Sequence, residues 1–263
     1  NRTKVYGLQS ALMGNTLSGG FLGLDGCRAG WTAAWLKPPQ SMVGLALFSS
    51  FKQAVESQPD CQEVWVDIPI GLSGGGTVRR LDAAMRSVLK ARKSSVFPAP
   101  SRAALAAQSY RQVREFEVRT HGRSLSAQAY HLIPKIREVD EFLQMQPQWQ
   151  KRVFESHPEL CFQRLNADTP LTHSKKEAAG WEERASLLEG WLEGVRETAL
   201  SFLKEVRRSQ VQPDDVLDAL VLAVAAWLNY GRRDHFLRQP EEHDSAGIPL
   251  RIACPPPLRR GEK

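Results

Sequence analysis

The acidic side chains of this chain stand where apolar segments end or where a helix begins. Asp25 ends the apolar run 21–25, and Asp67 lies near the end of the strand-like segment 63–68. Strands of one sheet can bring such acids to the same edge, where ligand sites of open α/β sheets lie. The pattern recurs further along the chain, at Glu155, Glu159, Asp214, Asp215 and Asp218.

Carboxylates gathered at one edge repel one another, and a divalent cation that prefers oxygen ligands relieves that repulsion. Two Mg²⁺ or Mn²⁺ ions about 3.5–4 Å apart can activate water and stabilise the leaving oxygen in phosphodiester cleavage. We expect Asp25 to bridge the two ions, with Asp67 and Asp218 each binding one of them. The expected metal ligands are Asp25, Asp67, Glu155, Asp215 and Asp218, and Glu159 joins the catalytic residues.

Each acid also has a purely structural interpretation. Asp214 and Asp215 are suited to capping a helix, or to stabilising the N-terminus of a helix through their negative charge. Asp25 and Asp67 precede turn-forming residues, so either could belong to a turn. Asp218 is more informative, because it shares a helix face with Asp215 and opens an apolar segment, where a charge needs water, a partner or a metal.

The elements that must hold these acids follow from the apolar pattern. Segments 21–25, 31–36 and 42–48 have strand composition, and their short connections predict an antiparallel meander. A helix at 50–57 precedes the strand 63–68, which is therefore expected to run parallel to an earlier strand. Further along, the sequence predicts a helical insertion at about 68–151, a strand at 152–155, one or two helices within 175–208, an apolar helix at 216–230 and a strand-like segment at 248–254.

Length and composition fit one globular domain. The chain has 263 residues, 42% of them hydrophobic, which allows a sizeable core. We expect an α/β domain over 21–255 whose five-stranded mixed sheet, three antiparallel strands followed by parallel ones, is flanked by helices. Residues 1–20 are expected to be a disordered leader or an expression remnant, and 256–263 a basic tail. No apolar run of about 18 residues predicts a membrane span.

Charge and cysteine content restrict the partners. The formal charge of +6 favours anionic partners such as nucleic acid, although an ordinary basic protein can have the same balance. The four cysteines have no C-x-x-C spacing, which argues against a zinc site. Reduced thiols in a cytoplasmic protein fit this pattern best.

Five motifs, taken together and in order, resemble a known family. They are 23–31 (GLDGCRAGW), 67–72 (DIPIGL), 94–98 (SSVFP), 157–159 (HPE) and 214–219 (DDVLDA). They are similar to the family called domain of unknown function 429, and the similarity extends over nearly the whole chain. That family is described as predicted nucleases with an RNase H-like fold, so the resemblance implies this fold and this activity.

The motif that opens the last helix also resembles that of Holliday-junction resolvases, which share the wider fold. There, an acid on the first strand, one at the end of the fourth strand and a pair on the last helix bind the metals. The resemblance assigns these roles to Asp25, Asp67, Asp215 and Asp218. The fourth-strand acid is usually glutamate in resolvases, and Asp67 is one methylene shorter.

Basic side chains and one histidine are candidates for contacts with a phosphate backbone. Arg79 and Arg92 belong to the basic segment 79–93, and Arg102 follows it. The alternative to a phosphate contact is that this segment forms a solvated helix face. His157 could equally be a general base, a phosphate contact or a structural hydrogen bonder. A lysine and an arginine within 175–184 belong to the family resemblance, with a surface role as the alternative. The expected substrate-binding residues are Arg79, Arg92, Arg102, His157, Lys175 and Arg184.

The expected function is a metal-dependent phosphodiesterase, most simply a nuclease that cleaves DNA or RNA by a two-metal mechanism and that could act as a homodimer. One alternative is an ATP-binding phosphotransferase of the actin and sugar-kinase type, because Asp25-Gly26 followed by Gly30 weakly resembles a phosphate loop. A second alternative is a non-catalytic nucleic-acid-binding module that has kept the acids.

Overall fold

Seven strands form one mixed sheet in the order β3-β2-β1-β4-β5-β7-β6. The computed structural model describes residues 19–37, 42–232 and 236–256, so nearly all of the expected leader and basic tail lie outside the described residues. The strands are β1 (Phe21–Cys27), β2 (Gly30–Lys37), β3 (Met42–Phe48), β4 (Glu63–Val66), β5 (Val153–Glu155), β6 (Phe236–His243) and β7 (Pro249–Ala253).

The antiparallel meander and the parallel fourth strand are confirmed. β2 pairs antiparallel with both β1 and β3, whereas β4 pairs parallel with β1 and also with β5. The tight turn between β1 and β2 requires glycine at position 30, where φ is +138°. A Cβ atom on Gly30 would lie 2.1 Å from the carbonyl oxygen of Phe48, which no side chain tolerates.

The expectation of five strands is wrong, because two further strands extend the sheet beyond β5. β7 pairs parallel with β5 and coincides with the strand-like segment 248–254, and β6 pairs antiparallel with β7. β6 is polar along most of its length and contains Pro240. An edge strand needs neither an apolar face nor a donor at every position, so the hydrophobic pattern could not predict it.

Helices cover both faces of the sheet. Within the described residues they are α1 (Phe51–Glu56), α2 (Leu81–Leu89), α3 (Tyr110–His121), α4 (Ala127–Met145), α5 (Pro158–Leu165), α6 (Ala178–Glu189), α7 (Val195–Glu205) and α8 (Pro213–Asn229). α2 to α4 lie between β4 and β5, in the part of the chain where the sequence predicts helices. α5 was not predicted, although Pro158 at its first turn is a typical start signal.

The apolar helix α8 packs directly across β1. A Cβ atom on Gly23 would lie 2.1 Å from the carbonyl oxygen of Ala219, so the two backbones can approach this closely only at glycine. Trp65 of β4 belongs to the core on the same face, while Phe51 and Phe142 belong to the core on the opposite face. Among the described residues, no helix has the length and hydropathy needed to cross a membrane.

Candidate functional site

A cleft of about 460 Å³ opens where β1, β4 and β5 end and α8 begins. The helical insertion supplies part of its wall through residues 94–97, and the segment 174–176 supplies another part. Candidate residues from six separate parts of the chain meet here. The predicted residues that line it are Asp25, Asp67, Arg92, Glu155, His157, Glu159, Lys175 and Asp215.

Asp25 and Asp67 are neighbours across the parallel pair of β1 and β4. Leu24 and Val66 are register partners, and the amide of Asp67 donates to the carbonyl oxygen of Leu24 at 3.1 Å. Each aspartate therefore follows one of two paired residues on adjacent strands, which lie about 4.8 Å apart. Asp25 is two positions after Gly23 and so shares the face that α8 covers.

Asp218 of α8 completes the acidic group from the other side, and Lys175 contacts it. Asp218 is fully buried, and its Oδ2 atom lies 2.5 Å from Nζ of Lys175. The other carboxylate oxygen, Oδ1, is buried and has no hydrogen-bond partner among the described residues. A second ion pair flanks the first, because Nζ of Lys176 lies 2.6 Å from Oδ2 of Asp214.

Burial and mutual repulsion dominate the electrostatics of this group. Burial, with the charges of Asp218 and Asp67, raises the pKa of Asp25 well above that of a free aspartate, and Lys175 only partly offsets this. Burial raises the pKa of Asp218 to about 6 although Lys175 favours its ionised form. Burial alone would lower the pKa of Lys175, but the charges of Asp218 and Asp25 raise it.

The charge of Lys175 relieves part of this repulsion, a role that the sequence analysis gave to a bound dication. One ammonium already offsets part of the negative charge of Asp25, Asp67 and Asp218. Within residues 19–37, 42–232 and 236–256, no three acidic, histidine or cysteine side chains form a ready-made set of metal ligands. The unpaired Oδ1 of Asp218 and the poorly stabilised charge of Asp25 nevertheless suit a hard cation, because both provide oxygen donors.

Asp215 lines the cleft but takes the structural role that the sequence left open. Its Oδ2 accepts a hydrogen bond from the backbone N–H of Gln212 at 2.8 Å, and the two residues form a capping box at the start of α8. The neighbouring Asp214 binds lysine instead of capping the helix. Asp215 therefore stays in the candidate set as a residue whose carboxylate is already partly engaged.

The structure does not support Glu155 as a metal ligand or Arg79 as a substrate contact. Arg79 is buried, and its Nη2 lies 2.6 Å from Oε1 of Glu155 while its Nε lies 2.8 Å from Oδ1 of Asp82. The other oxygen of Glu155 accepts from the backbone N–H of Ile70 at 2.7 Å. This closed network ties the insertion to β5 and leaves neither side chain free to bind a ligand.

Arg184 is likewise structural, because its side chain is only 1% exposed and pairs with Glu159 at 2.5 Å. Glu159 is thereby held at the wall of the cleft, with Nε of Arg92 4.0 Å from its second oxygen. Arg92 also donates to the carbonyl oxygen of Leu171 at 2.7 Å, and it still lines the cleft. Arg92 remains a candidate for substrate contact and Arg184 does not.

Of the two remaining candidates for a substrate contact, His157 is retained and Arg102 is not. Nε2 of His157 lies 3.3 Å from Oγ of Ser95 inside the cleft, and its Nδ1 is buried without a partner among the described residues. Arg102 lies outside the cleft lining and binds Asp140 at 2.5 Å and also Asp244. His157 thus keeps a free nitrogen beside the acids, whereas the expected substrate contact by Arg102 is not supported.

Sequence reasoning missed Lys176 and Ser95, although both line the cleft. Lys176 follows Lys175 directly and pairs with Asp214, so the doubled lysine was a usable signal. Ser95 lies within the motif 94–98, but nothing in its sequence context indicates that its hydroxyl meets a histidine.

Comparison with known proteins gives one match. The model of a protein family described as "Protein of unknown function (DUF429)" matches residues 23–242, most of the chain. No curated protein matches the chain, and no solved structure matches it either. The match covers the strands and helices that carry Asp25, Asp67 and Asp218.

Proposed function

The chain belongs to the DUF429 family, whose description names no activity, and we propose that it is a metal-dependent phosphodiesterase that acts on nucleic acid. The observation that carries the proposal is the meeting of Asp25, Asp67 and Asp218 at one end of the sheet, with the pKa of Asp25 raised by burial and by the other two acids. A site built only for stability gains nothing from buried, mutually repelling carboxylates.

The sheet supports an RNase H-like core as part of this proposal. Its first five strands have the order β3-β2-β1-β4-β5, with three antiparallel strands followed by two parallel ones. This is the arrangement that the family resemblance implies. In this account β6 and β7 are an extension added beyond β5.

The proposed metal ligands are Asp25, Asp67 and Asp218, whose oxygens suit Mg²⁺ or Mn²⁺. When bound, such an ion polarises a phosphate and acidifies a water molecule. The chain's own residues would then position the metal ligands and the phosphate, and balance their charges. Lys175 orients Asp218 and brings a positive charge to the cleft, and Arg92 adds a second, 29% exposed cation for the phosphate. His157 lines the cleft and offers a ring nitrogen for a hydrogen bond to the substrate.

Nucleic acid as the substrate is supported by the formal charge of +6 and by the cations around the cleft. A reducing compartment such as the cytoplasm belongs to the proposal as well, because all four cysteines are buried free thiols. A homodimer remains a prediction that size measurements in solution can check.

The experiment is a cleavage assay with the purified chain and labelled single-stranded DNA, duplex DNA and RNA, in Mn²⁺, Mg²⁺ or EDTA. We expect cleavage only with a divalent ion, and its loss in Asp25→Asn. The matched control is Asp60→Asn, the same chemical change at an exposed position outside the cleft lining. Equal cleavage by wild type and Asp25→Asn, or no cleavage of any substrate with either ion, would overturn the proposal.

A non-catalytic nucleic-acid-binding module is the second candidate. It is favoured by the 2.5 Å contact of Lys175 with Asp218, because this ion pair lets the acids persist without a metal. The discriminating measurement is electrophoretic mobility shift beside the cleavage assay. Retarded nucleic acid with no turnover under either ion would favour this second candidate.

A further inference from the structure

The segment 171–176, here called the lysine segment, runs from a buried leucine to the acidic cleft without forming a helix or a strand. Its second half lines the cleft and brings the ammonium of Lys175 to 2.5 Å from Oδ2 of Asp218. An irregular segment has no regular ladder of backbone hydrogen bonds, so its position depends on the groups that bind it from outside.

Arg92 of the helical insertion binds the first half of the lysine segment. Its Nη2 atom lies 2.7 Å from the carbonyl oxygen of Leu171, 3.4 Å from that of Thr172 and 3.1 Å from that of His173. One guanidinium nitrogen is thus surrounded by three consecutive carbonyl groups. Arg92 also lines the cleft, so this contact joins the insertion to the wall that carries Lys175.

The turn that carries Arg92 is itself held in place. Oγ of Ser95 donates to the carbonyl oxygen of Arg92 at 2.8 Å, and the same atom lies 3.3 Å from Nε2 of His157 at the start of α5. The backbone of Arg92 is therefore anchored beside β5 while its side chain reaches the lysine segment.

On its other side the lysine segment is bound to α6. The carboxylate of Glu183 accepts from the backbone N–H of Thr172 at 2.8 Å and from that of His173 at 2.9 Å. Nη1 of Arg184 donates to the carbonyl oxygen of His173 at 3.2 Å. These contacts fix the segment to the helix that follows it in the chain, whereas Arg92 fixes it to the insertion.

We propose that Arg92 is a positioning residue that keeps Lys175 on Asp218 and thereby controls the affinity of the acids for a divalent ion. An ion that needs Oδ2 of Asp218 must displace the ammonium that lies 2.5 Å from it. Without Arg92, the start of the lysine segment gains conformations in which Lys175 lies elsewhere, so the ion meets less competition. The inference rests on the proposed function for the metal site, and it adds control of that site by a residue that is not one of its ligands.

Arg92→Lys separates the contact with the segment from the positive charge. A lysine keeps the charge near the acids, but it lacks the planar fork of the guanidinium and ends about one bond earlier, so it cannot reach the same carbonyl groups. Mn²⁺ affinity, measured from the electron paramagnetic resonance of the free ion, should rise about threefold or more. Arg119→Lys is the matched control, because Arg119 is exposed on α3 outside the cleft lining, and it should change the affinity less than about twofold. Equal Mn²⁺ affinity of Arg92→Lys and wild type would overturn the proposal.

Hydrogen exchange in EDTA provides a measurement that needs no metal. Backbone amides of the lysine segment should exchange faster in Arg92→Lys and in Arg92→Met than in wild type, and at the wild-type rate in Arg119→Lys. Exchange as slow as in wild type in both Arg92 variants would show that Arg92 does not hold the segment.

A double variant tests whether Arg92 acts through Lys175. Once Lys175 is replaced by methionine, Arg92→Lys should no longer change the Mn²⁺ affinity, because the competing ammonium is already gone. Additive effects of the two substitutions would mean that Arg92 acts on the acids directly, and they would overturn the proposal.

The outcomes separate this inference from the proposed function. A protein that binds no Mn²⁺ in any form refutes the metal site and its control, even if the Arg92 variants exchange faster and so confirm that Arg92 holds the segment. A protein that cleaves with Mn²⁺ and loses cleavage in Asp25→Asn, yet has the same Mn²⁺ affinity and hydrogen exchange with Arg92→Lys, supports the phosphodiesterase and refutes the role of Arg92.

Discussion

Replacement of Lys175 by methionine is the most informative perturbation of the acidic cleft. Methionine keeps much of the apolar stem of the lysine and removes only its charge and its donors. In the wild type, the ammonium of Lys175 lies 2.5 Å from Asp218. In the variant, Asp218 is still fully buried, but neither of its carboxylate oxygens is paired with an ammonium. The charges of Asp25 and Asp67 also lose their nearest offset.

The expected cost follows from the exposure of the two partners. Removing one partner of a fully buried ion pair costs about 3–5 kcal/mol, whereas an exposed pair is worth about 0–1 kcal/mol. Lys175 keeps 34% of its side chain exposed and Asp218 keeps 1%, so we expect a loss of about 2 kcal/mol, between these limits. In a chain of this size that lowers Tm by about 4–8 °C.

The assay is thermal unfolding in EDTA and in Mn²⁺, for wild type and Lys175→Met. Without divalent ions the variant should unfold at the lower temperature. With Mn²⁺ it should gain more than wild type, because its acidic group carries one more uncompensated negative charge. Lys176→Met is the control, since that side chain is 66% exposed and its loss should cost less than about 1 kcal/mol.

An unchanged Tm of Lys175→Met in EDTA would refute the idea that Lys175 offsets the charge of the acids. Equal stabilisation of both proteins by Mn²⁺ would show that Lys175 and the ion do not share the same carboxylates.

Three other predictions concern the acid itself, the contact of α8 with β1 and a buried ion pair. Asp25→Asn should raise Tm in EDTA at pH 7, because a carboxylate whose pKa is raised in the folded state costs stability at every pH above its unfolded-state pKa. This gain should shrink as the pH falls and wild-type Asp25 binds its proton; a gain that stays constant down to pH 4 in thermal scans would contradict it. Gly23→Ala should destabilise the fold by about 3 kcal/mol or more in urea unfolding, since its Cβ would lie 2.1 Å from the carbonyl oxygen of Ala219 and 2.5 Å from the amide nitrogen of Ala223, both in the backbone of α8. Gly190→Ala, whose nearest contact is 3.3 Å, should fold normally; equal stability of the two variants would refute the close packing. Arg184→Met should cost about 3 kcal/mol by the same measurement, because Glu159 is left buried without its closest cation, and a loss below about 1 kcal/mol would show that the pair is not structural.

The positions of Asp25, Asp67 and Asp218 could be predicted because strand ends and helix starts have clear sequence signals. The parallel pairing of β1 with β4 followed from the intervening helix, and it brings the first two acids together. The apolar pattern of α8 required it to be buried, which brings Asp218 to the same place. These inferences needed only local periodicity and the rules of chain connection.

Partner choice could not be predicted in the same way. Arg79 and Glu155 are 76 residues apart, and nothing local indicates that they bind each other. Lys175 was proposed to contact phosphate, but its charge is first used on Asp218, 43 residues away. A charged side chain in sequence shows that a partner is needed, and only the folded chain shows which partner it finds.

The polar edge strand β6 and the short helix α5 show a related limit of pattern analysis. β6 forms because β7 offers it an unpaired backbone edge, and this requires no apolar alternation in β6 itself. α5 has only eight residues, about two helical turns, so its hydrophobic pattern is too short to repeat clearly and to mark it as a helix.

The most direct test of the central claim is a crystal structure of the protein grown with Mn²⁺ and measured for anomalous scattering. We expect an anomalous peak from manganese that is bound by carboxylate oxygens of Asp25, Asp67 and Asp218 at about 2.0–2.6 Å, with the Lys175 ammonium moved away from Asp218. A contact of Lys175 with Asp218 that persists at 2.5 Å, with no manganese at the three acids, would contradict it.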